Sequence, residues 1–279
     1  MTVAALQARY GDEAPALILP DVPVLDAMLS HRSVRHFLRD ALPAHTIETM
    51  VAAAQSAPTS SNLQTWSVIA VESQERRDQL AQLVGQQKHL SAAPLVLVWL
   101  ADLSRIARLG QAQDREPVGL HYLDTFLMGV IDAALAAQNA VVAAEAMGLG
   151  TCYIGGMRNQ PEKVAEVLGT PKNVFPVFGL VVGHPDPARP ADVKPRLPQE
   201  AVLHREQYQV PVDQQQEIGN YNDTLRSFMR EQGMKEMDWS KQVVDRLGSP
   251  EALTGRDRLY EALRNAGFSY TDIEAYAAR

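Results

Sequence analysis

A globular fold built from both helices and short buried strands is what this sequence predicts, and three observations carry that expectation. Of 279 residues, 46% are apolar and 21% charged, the balance of a chain that buries a full hydrophobic core. Three short apolar or β-branched runs, residues 66–71, 95–100 and 175–182, are bounded by turn residues, which is the pattern of buried strands. Residues 124–147 are rich in Ala, Leu and Val on nearly every face and end at Gly148, the pattern of a long buried helix with a glycine cap.

Residues 1–24 are an N-terminal extension. They carry Asp12 and Glu13 and lack a basic start or an unbroken apolar run, so they do not read as a signal peptide, and no role is assigned to them. A short apolar stretch at 25–29 then gives way to the basic run HRSVRHF. Residues 43–58 predict an amphipathic helix through Ile47, Met50, Val51 and Ala54, ending at Pro58. The helix at 124–147, apolar all round in a chain this small, points to a second subunit covering one side. A central helix of a monomer remains the alternative. Beyond Gly183 the segment HPDPARPADVKPRLP holds five prolines and reads as a linker or a wrapping arm. It leads into a polar helical tail, 211–279, with amphipathic stretches at 221–229 and 256–266 and no strand of its own. That tail is expected to dock on the body or on a partner subunit.

Several classes are excluded. The net charge is −7 and no Lys/Arg block forms a stripe, which argues against nucleic acid. The apolar runs at 95–101 and 126–147 are too short, or are broken by charge and by Gln138 and Asn139, so no membrane span is expected. Cys152 stands alone, which rules out an intramolecular disulfide and a Cys-rich metal site and suits the cytoplasm. No HExxH, GxSxG or P-loop pattern occurs. No metal ligand set and no catalytic acid, base or nucleophile is expected; Cys152 reads as a packed core thiol.

Five polar constellations remain. His31, Arg32, Ser33, Arg35 and His36 cluster cations and donors near a helix end, a composition that binds phosphate or an anionic ring edge and equally makes a solvated basic face. Ser60, Ser61 and Asn62, in APTSSNLQ, offer hydroxyl and amide groups to a polar ligand, or form an ordinary turn. The run GLGTCYIGG exposes backbone donors and lets a flat ligand approach at Gly155 and Gly156, while Gly148 reads as a helix cap. Its glycine spacing is not that of a dinucleotide fingerprint. Lys194 and Arg196 in DVKPRLP are held in a defined direction by flanking prolines, or sit on a charged linker. Gln87, Lys88 and His89 form the weakest candidate, a polar loop by default.

Taken together, HRSVRHF, APTSSNLQ, GQQKHL, the long Ala-rich helix, GLGTCYIGGMRN, FPVFGLVVG and DVKPRLP resemble the nitroreductase family in order and spacing. The similarity spans residues 25–210 and is nearest the oxygen-insensitive, NADPH-preferring nitroreductase and flavin reductase branch. It implies an α+β, three-layer fold with a mixed central sheet flanked by helices, an intertwined homodimer, and FMN bound tightly in clefts at the interface. By carry-over, His31, Arg32, Ser33 and Arg35 contact the FMN phosphate, ribityl chain and pyrimidine edge, Lys194 and Arg196 complete the anion site, and Ser60, Ser61 and Asn62 come from the partner subunit. Gln87 reaches the flavin pyrimidine, and Tyr153, Ile154, Gly155 and Gly156 lie along the ring with a glycine amide directed at N5.

The implied activity is hydride transfer from NADPH or NADH to nitroaromatic, quinone or flavin acceptors by a ping-pong route. The chemistry resides at flavin N5 and not on a protein acid or base. The tail resembles the family only loosely. Arg230 and Lys235, with Lys241, stand where that branch binds the nucleotide phosphate. A flavin-binding or sensory protein without turnover is the alternative from another class, and a relative whose flavin attacks oxygen or fragments is a third.

Overall fold

The structure, a computed structural model, describes residues 2–11, 14, 19–20, 22–210 and 213–271. The remaining parts of the N-terminal extension, Asp12 and Glu13 among them, and the end of the tail lie outside the described residues. In chain order the main elements are α1 (Thr2–Tyr10), α2 (Pro23–Leu29), α3 (Thr46–Gln55), β1 (Trp66–Val71), α4 (Gln74–Leu83), α5 (Lys88–Ala92), β2 (Leu95–Asp102), α6 (Ser104–Ala112), α7 (Leu123–Ala146), β3 (Gly150–Ile154), α8 (Pro161–Leu168), β4 (Val174–Gly183), α9 (Gln214–Glu231), α10 (Trp239–Leu247) and α11 (Leu259–Asn265). They group into two compact units, residues 1–33 with 190–252, and residues 34–189 with 253–279.

The second unit holds the sheet, with strand order β1-β2-β4-β3. Helix and strand combine as the sequence indicates, but every neighbouring pair among the described strands is antiparallel, so the sheet is not mixed. The connections explain this. Val71, the last residue of β1, lies opposite Val96 near the start of β2, so the chain re-enters the sheet at the end where it left. A parallel pair needs a crossover back to the far end. The run read as glycine-rich backbone donors contains β3, an edge strand that pairs Gly150 with Gly183 and Ile154 with Gly179.

The three strands expected from apolar runs are present. Strand β2 is buried along its whole length, as expected for an interior strand covered on both faces. Leu95, Leu97 and Trp99 pack with α3 and α7, where alanines at 133, 136, 137, 140 and 144 let the helix approach closely. Truncating a fully buried aromatic such as Trp99 costs about 3–5 kcal/mol.

Gly148, at φ +77°, ends the α7 segment as the sequence indicates. The helix is not covered all round by its own chain. Leu127, Ile131 and Leu135, spaced by four residues, are 46%, 55% and 42% exposed. By length and composition α7 also meets the requirement for a membrane span, yet its other face is built into the core of this unit.

The tail divides between the units. Tyr221, Leu225 and Met229 repeat every fourth residue along α9 and form the core of the first unit with Leu197, Phe228, Met237 and Trp239. Leu263, Phe268 and Tyr270 join Phe126 and Phe175 in the second, where the Phe126 ring meets Phe268 edge-on at 5.3 Å.

Candidate functional site

In the first unit, α2 ends at Leu29 and the chain continues through half-buried His31, exposed Arg32 and half-buried Ser33. Lys194 and Arg196 lie on the proline-rich segment, with Pro195 and Pro198 buried. One residue of the extension ties these two segments together. Arg9, 9% exposed, donates through Nη2 to the carbonyls of Leu29 (2.8 Å) and His31 (3.3 Å), and through Nη1 to the carbonyl of Lys194 (3.3 Å). The amide of Arg196 donates to the carbonyl of Arg9 at 2.8 Å. From α9, the Tyr221 hydroxyl donates to the carbonyl of Pro195 at 3.1 Å. Burial pushes the Tyr221 phenol up in pKa, and the nearby Arg196 guanidinium opposes that shift. Sequence reasoning assigned Arg9 nothing; its one signal is that it shares a helix face with Ala5 and Leu6, both buried.

In the second unit, Gln87 is the residue before α5, so the expected polar loop is a helix start. Its Nε2 donates to the carbonyl of Val84 at 3.1 Å. A Cβ at Gly156 would lie 2.7 Å from the Val84 carbonyl oxygen and 3.1 Å from Gln87 Nε2, so the structure brings Gln87 and Gly156 into contact. The missing side chain at Gly156 is used by the chain's own packing; Gly155 is the more open of the pair. A Cβ there would sit 3.5 Å from Arg158 Nη2 and 3.8 Å from Arg256 Nη2. Arg256, from the tail, is oriented by its Nε bond to Asn159 Oδ1 at 2.9 Å. Neither arginine was singled out from the sequence, because only the fold sets them beside Gly155.

Tyr153 points outward from β3, while Ile154 is buried. The Tyr153 ring stacks edge-on to Phe178 at 5.3 Å, and its hydroxyl donates to Gln138 at 3.3 Å. Burial, reinforced by the Glu145 carboxylate, pushes its pKa up, so it is a neutral donor. Exposed Arg35 lies near enough to half-buried His89 to act on it. Burial first, then the charges of Arg35 and His36, hold the His89 imidazole below its usual pKa and therefore neutral at pH 7.

Ser60, Ser61 and Asn62 form a single 3-10 turn fastened by a buried carboxylate. Asp132 of α7, 1% exposed, accepts from the Ser60 amide (3.0 Å), the Thr65 amide (3.2 Å) and the Thr65 hydroxyl (2.8 Å). Between these anchors Ser61, Asn62 and Gln64 all adopt positive φ, at 47°, 55° and 52°. Strain of this kind costs on the order of 1–3 kcal/mol per residue and clusters at functional sites.

Arg230 is locked in a two-pronged ion pair with Glu236, at 2.9 and 2.8 Å, whereas Lys235 and Lys241 are exposed. Cys152 is buried, as a packed core thiol would be. Among the described residues no group of His, Cys, Asp or Glu is arranged to hold a metal ion.

The two units each bring together polar and cationic groups of the kind that bind anions and polar ring edges. Arginine, lysine, histidine and serine side chains sit on two segments fastened to each other in the first unit, and in the second the Gln87 amide, Arg158 and Arg256 lie around the Gly155–Gly156 turn.

Residues 28–184 match the model of the nitroreductase family, and residues 194–271 match that of the family's C-terminal domain. The chain is 42% identical over 225 residues to an FMN reductase (NADPH) of Bacillus subtilis, covering 79% of this chain and 90% of that one. It is 39% identical over 211 residues to an oxygen-insensitive NADPH nitroreductase of Salmonella typhimurium, covering 76% and 84%. The solved NADPH:FMN oxidoreductase of Vibrio harveyi complexed with NAD+ superposes with a TM-score of 0.78 at 33% identity, over 88% of this chain and 98% of that one. With both family segments matched in order along one chain, and with relatives this similar over most of their length, the chain belongs to the nitroreductase family.

Proposed function

We propose that this chain is an FMN-dependent NAD(P)H oxidoreductase that reduces nitroaromatic, quinone or flavin acceptors, acting as a cytoplasmic homodimer with residues 25–210 as its cofactor-binding core. The observation that carries the reading is the fastening of the 31–33 and 194–196 segments to each other through Arg9, which presets a cationic, hydroxyl-bearing cradle for a phosphate.

FMN, when bound, supplies a ring atom that accepts and then donates hydride. The chain's residues supply binding and orientation. His31, Arg32, Ser33, Lys194 and Arg196 hold the phosphate by charge-assisted hydrogen bonds. On the other unit Gln87 presents its amide, Arg35 adds positive charge that favours an electron-rich ring, and Gly155 offers a backbone amide without a side chain in the way, while Gly156, packed against Val84, holds the turn in place. Tyr153 borders the same surface, whereas the Ile154 side chain is buried and takes no part in it. If the spent nucleotide leaves before the acceptor occupies the surface these residues border, the kinetics would be ping-pong. Lys235 meets the nucleotide phosphate together with Arg230, whose ion pair with Glu236 leaves its side chain 65% exposed, and the guanidinium of Arg256 beside Gly155 attracts polar groups of the acceptor.

The exposed α7 stripe of Leu127, Ile131 and Leu135 supports a second copy as partner. So does the 202–210 segment, where Val202, Tyr208 and Val210 are 71%, 77% and 74% exposed. That copy receives the strained Ser60, Ser61 and Asn62 turn in its own cofactor site.

The test is the spectrum of purified protein. A yellow preparation that NADPH or NADH bleaches without oxygen, and that menadione or nitrofurazone restores, is the expected outcome. Bleaching that no acceptor reverses leaves a flavin-binding protein without turnover, and a colourless preparation indifferent to added FMN removes the reading.

A further inference from the structure

We propose that Arg9 is a positioning residue for the phosphate-binding side of the site, setting the spacing between the 31–33 and 194–196 segments. This rests on the FMN reading above. Arg9 lies on α1, ahead of both segments matched by the family models, which begin at residues 28 and 194.

The geometry is specific to an arginine. A guanidinium carries five donors in a rigid plane and serves acceptors in two directions at once, which a lysine ammonium on its flexible stem does not. Here one donor arm serves the carbonyls of Leu29 and His31 and the other that of Lys194, across 20, 22 and 185 positions of sequence. With Arg9 9% exposed, little water competes for these bonds.

The backbone completes the clamp. Arg9 is in the last turn of α1, where helix carbonyls have no partner within the helix, and the Arg196 amide satisfies its carbonyl. The helix end therefore needs the donor that the loop presents, and the two fix each other.

The acceptors also show what the clamp controls. Two belong to His31 and Lys194, residues whose own side chains are assigned to the anion, and the amide donor belongs to Arg196. The apolar core of this unit, Tyr221, Leu225 and Met229, is a separate group of residues.

The experiment titrates flavin-free full-length protein with FMN and with riboflavin, which lacks the phosphate, by quenching of flavin fluorescence. Wild type, Arg9→Ala and Arg9→Lys are compared, with a thermal melt of each flavin-free protein. Arg9→Ala is expected to weaken FMN about ten- to a hundredfold and riboflavin by less than about threefold, with Arg9→Lys between wild type and Arg9→Ala for FMN. Equal weakening of both ligands, or of neither, overturns the proposal, because a structural arginine does not discriminate between them. If Arg9→Ala does not fold, the ratio in Arg9→Lys decides by the same criterion. Wild type that binds no FMN removes the cofactor reading and this inference together. Wild type that binds FMN, with an unmoved ratio in the variants, removes this inference alone.

Discussion

The turn around Gly156, proposed to border the flavin ring, and the Lys194–Arg196 segment, proposed to hold its phosphate, are built by opposite means. Around Gly156, position is set by close packing: the turn presses against Val84 and Gln87 with no room for a methyl group, and Gly150 likewise lies against Val34. Around Lys194 and Arg196, position is set by hydrogen bonds to backbone groups, from Arg9 on one side and Tyr221 on the other. Packing distributes a constraint over many weak contacts, whereas a hydrogen-bonded clamp concentrates it in one or two side chains. The first is therefore broken by adding volume, and the second by deleting a donor.

The largest effect is expected from Arg196→Ala. It removes a charge-assisted contact and should weaken FMN binding by about 1.5–3 kcal/mol while leaving the melting temperature of the flavin-free protein near that of wild type. Unchanged affinity by fluorescence titration would take Arg196 out of the anion site.

Gly156→Ala tests the packed side. Its Cβ would fall 2.7 Å from the Val84 carbonyl oxygen and 2.8 Å from Val84 Cβ, so backbone must move. The expected loss is about 1–3 kcal/mol of folding stability together with slower turnover, measured by urea unfolding and steady-state kinetics. Wild-type stability would show that the turn yields freely and that packing does not set its position.

The smallest effect is a pH dependence. Burial, then Arg35 and His36, depress the His89 pKa in the folded state, so below the ordinary imidazole range the unfolded chain binds a proton that the folded chain resists. This residue's contribution to stability is therefore lost as pH falls from about 7 through about 6.5 toward the folded-state pKa. His89→Gln should flatten that part of the stability profile in urea titrations at several pH values. Identical profiles would assign the slope to another group.

Many of the elements on both sides of this contrast are legible in the amino-acid sequence. The 3.6-residue pattern places α3 and α7 within a residue or a few of their observed bounds, and short β-branched runs mark β1, β2 and β4. Those signals are local, and the buried faces that produce them agree with the tertiary core. Strand β3 is hidden because its glycine-flanked residues carry no alternation of their own; its pairing with β4 makes it a strand. Asp132, Arg158 and Arg256 escape notice for the same reason, since nothing near them in sequence states what they will touch.

By itself the sequence determined the places of α3, α7, β1, β2 and β4, the glycine that ends α7, the cationic and polar segments worth watching, and the family they resemble. Only the tertiary structure decided that the sheet is antiparallel, that Gly156 is spent on internal packing while Gly155 stays open, and that Arg9 holds His31 while reaching across 185 positions of sequence to Lys194. The physical reason is range. Periodicity and capping act within a few residues, but any carbonyl serves an arginine equally well, so the identity of its acceptor is written in the fold and not in the letters around it.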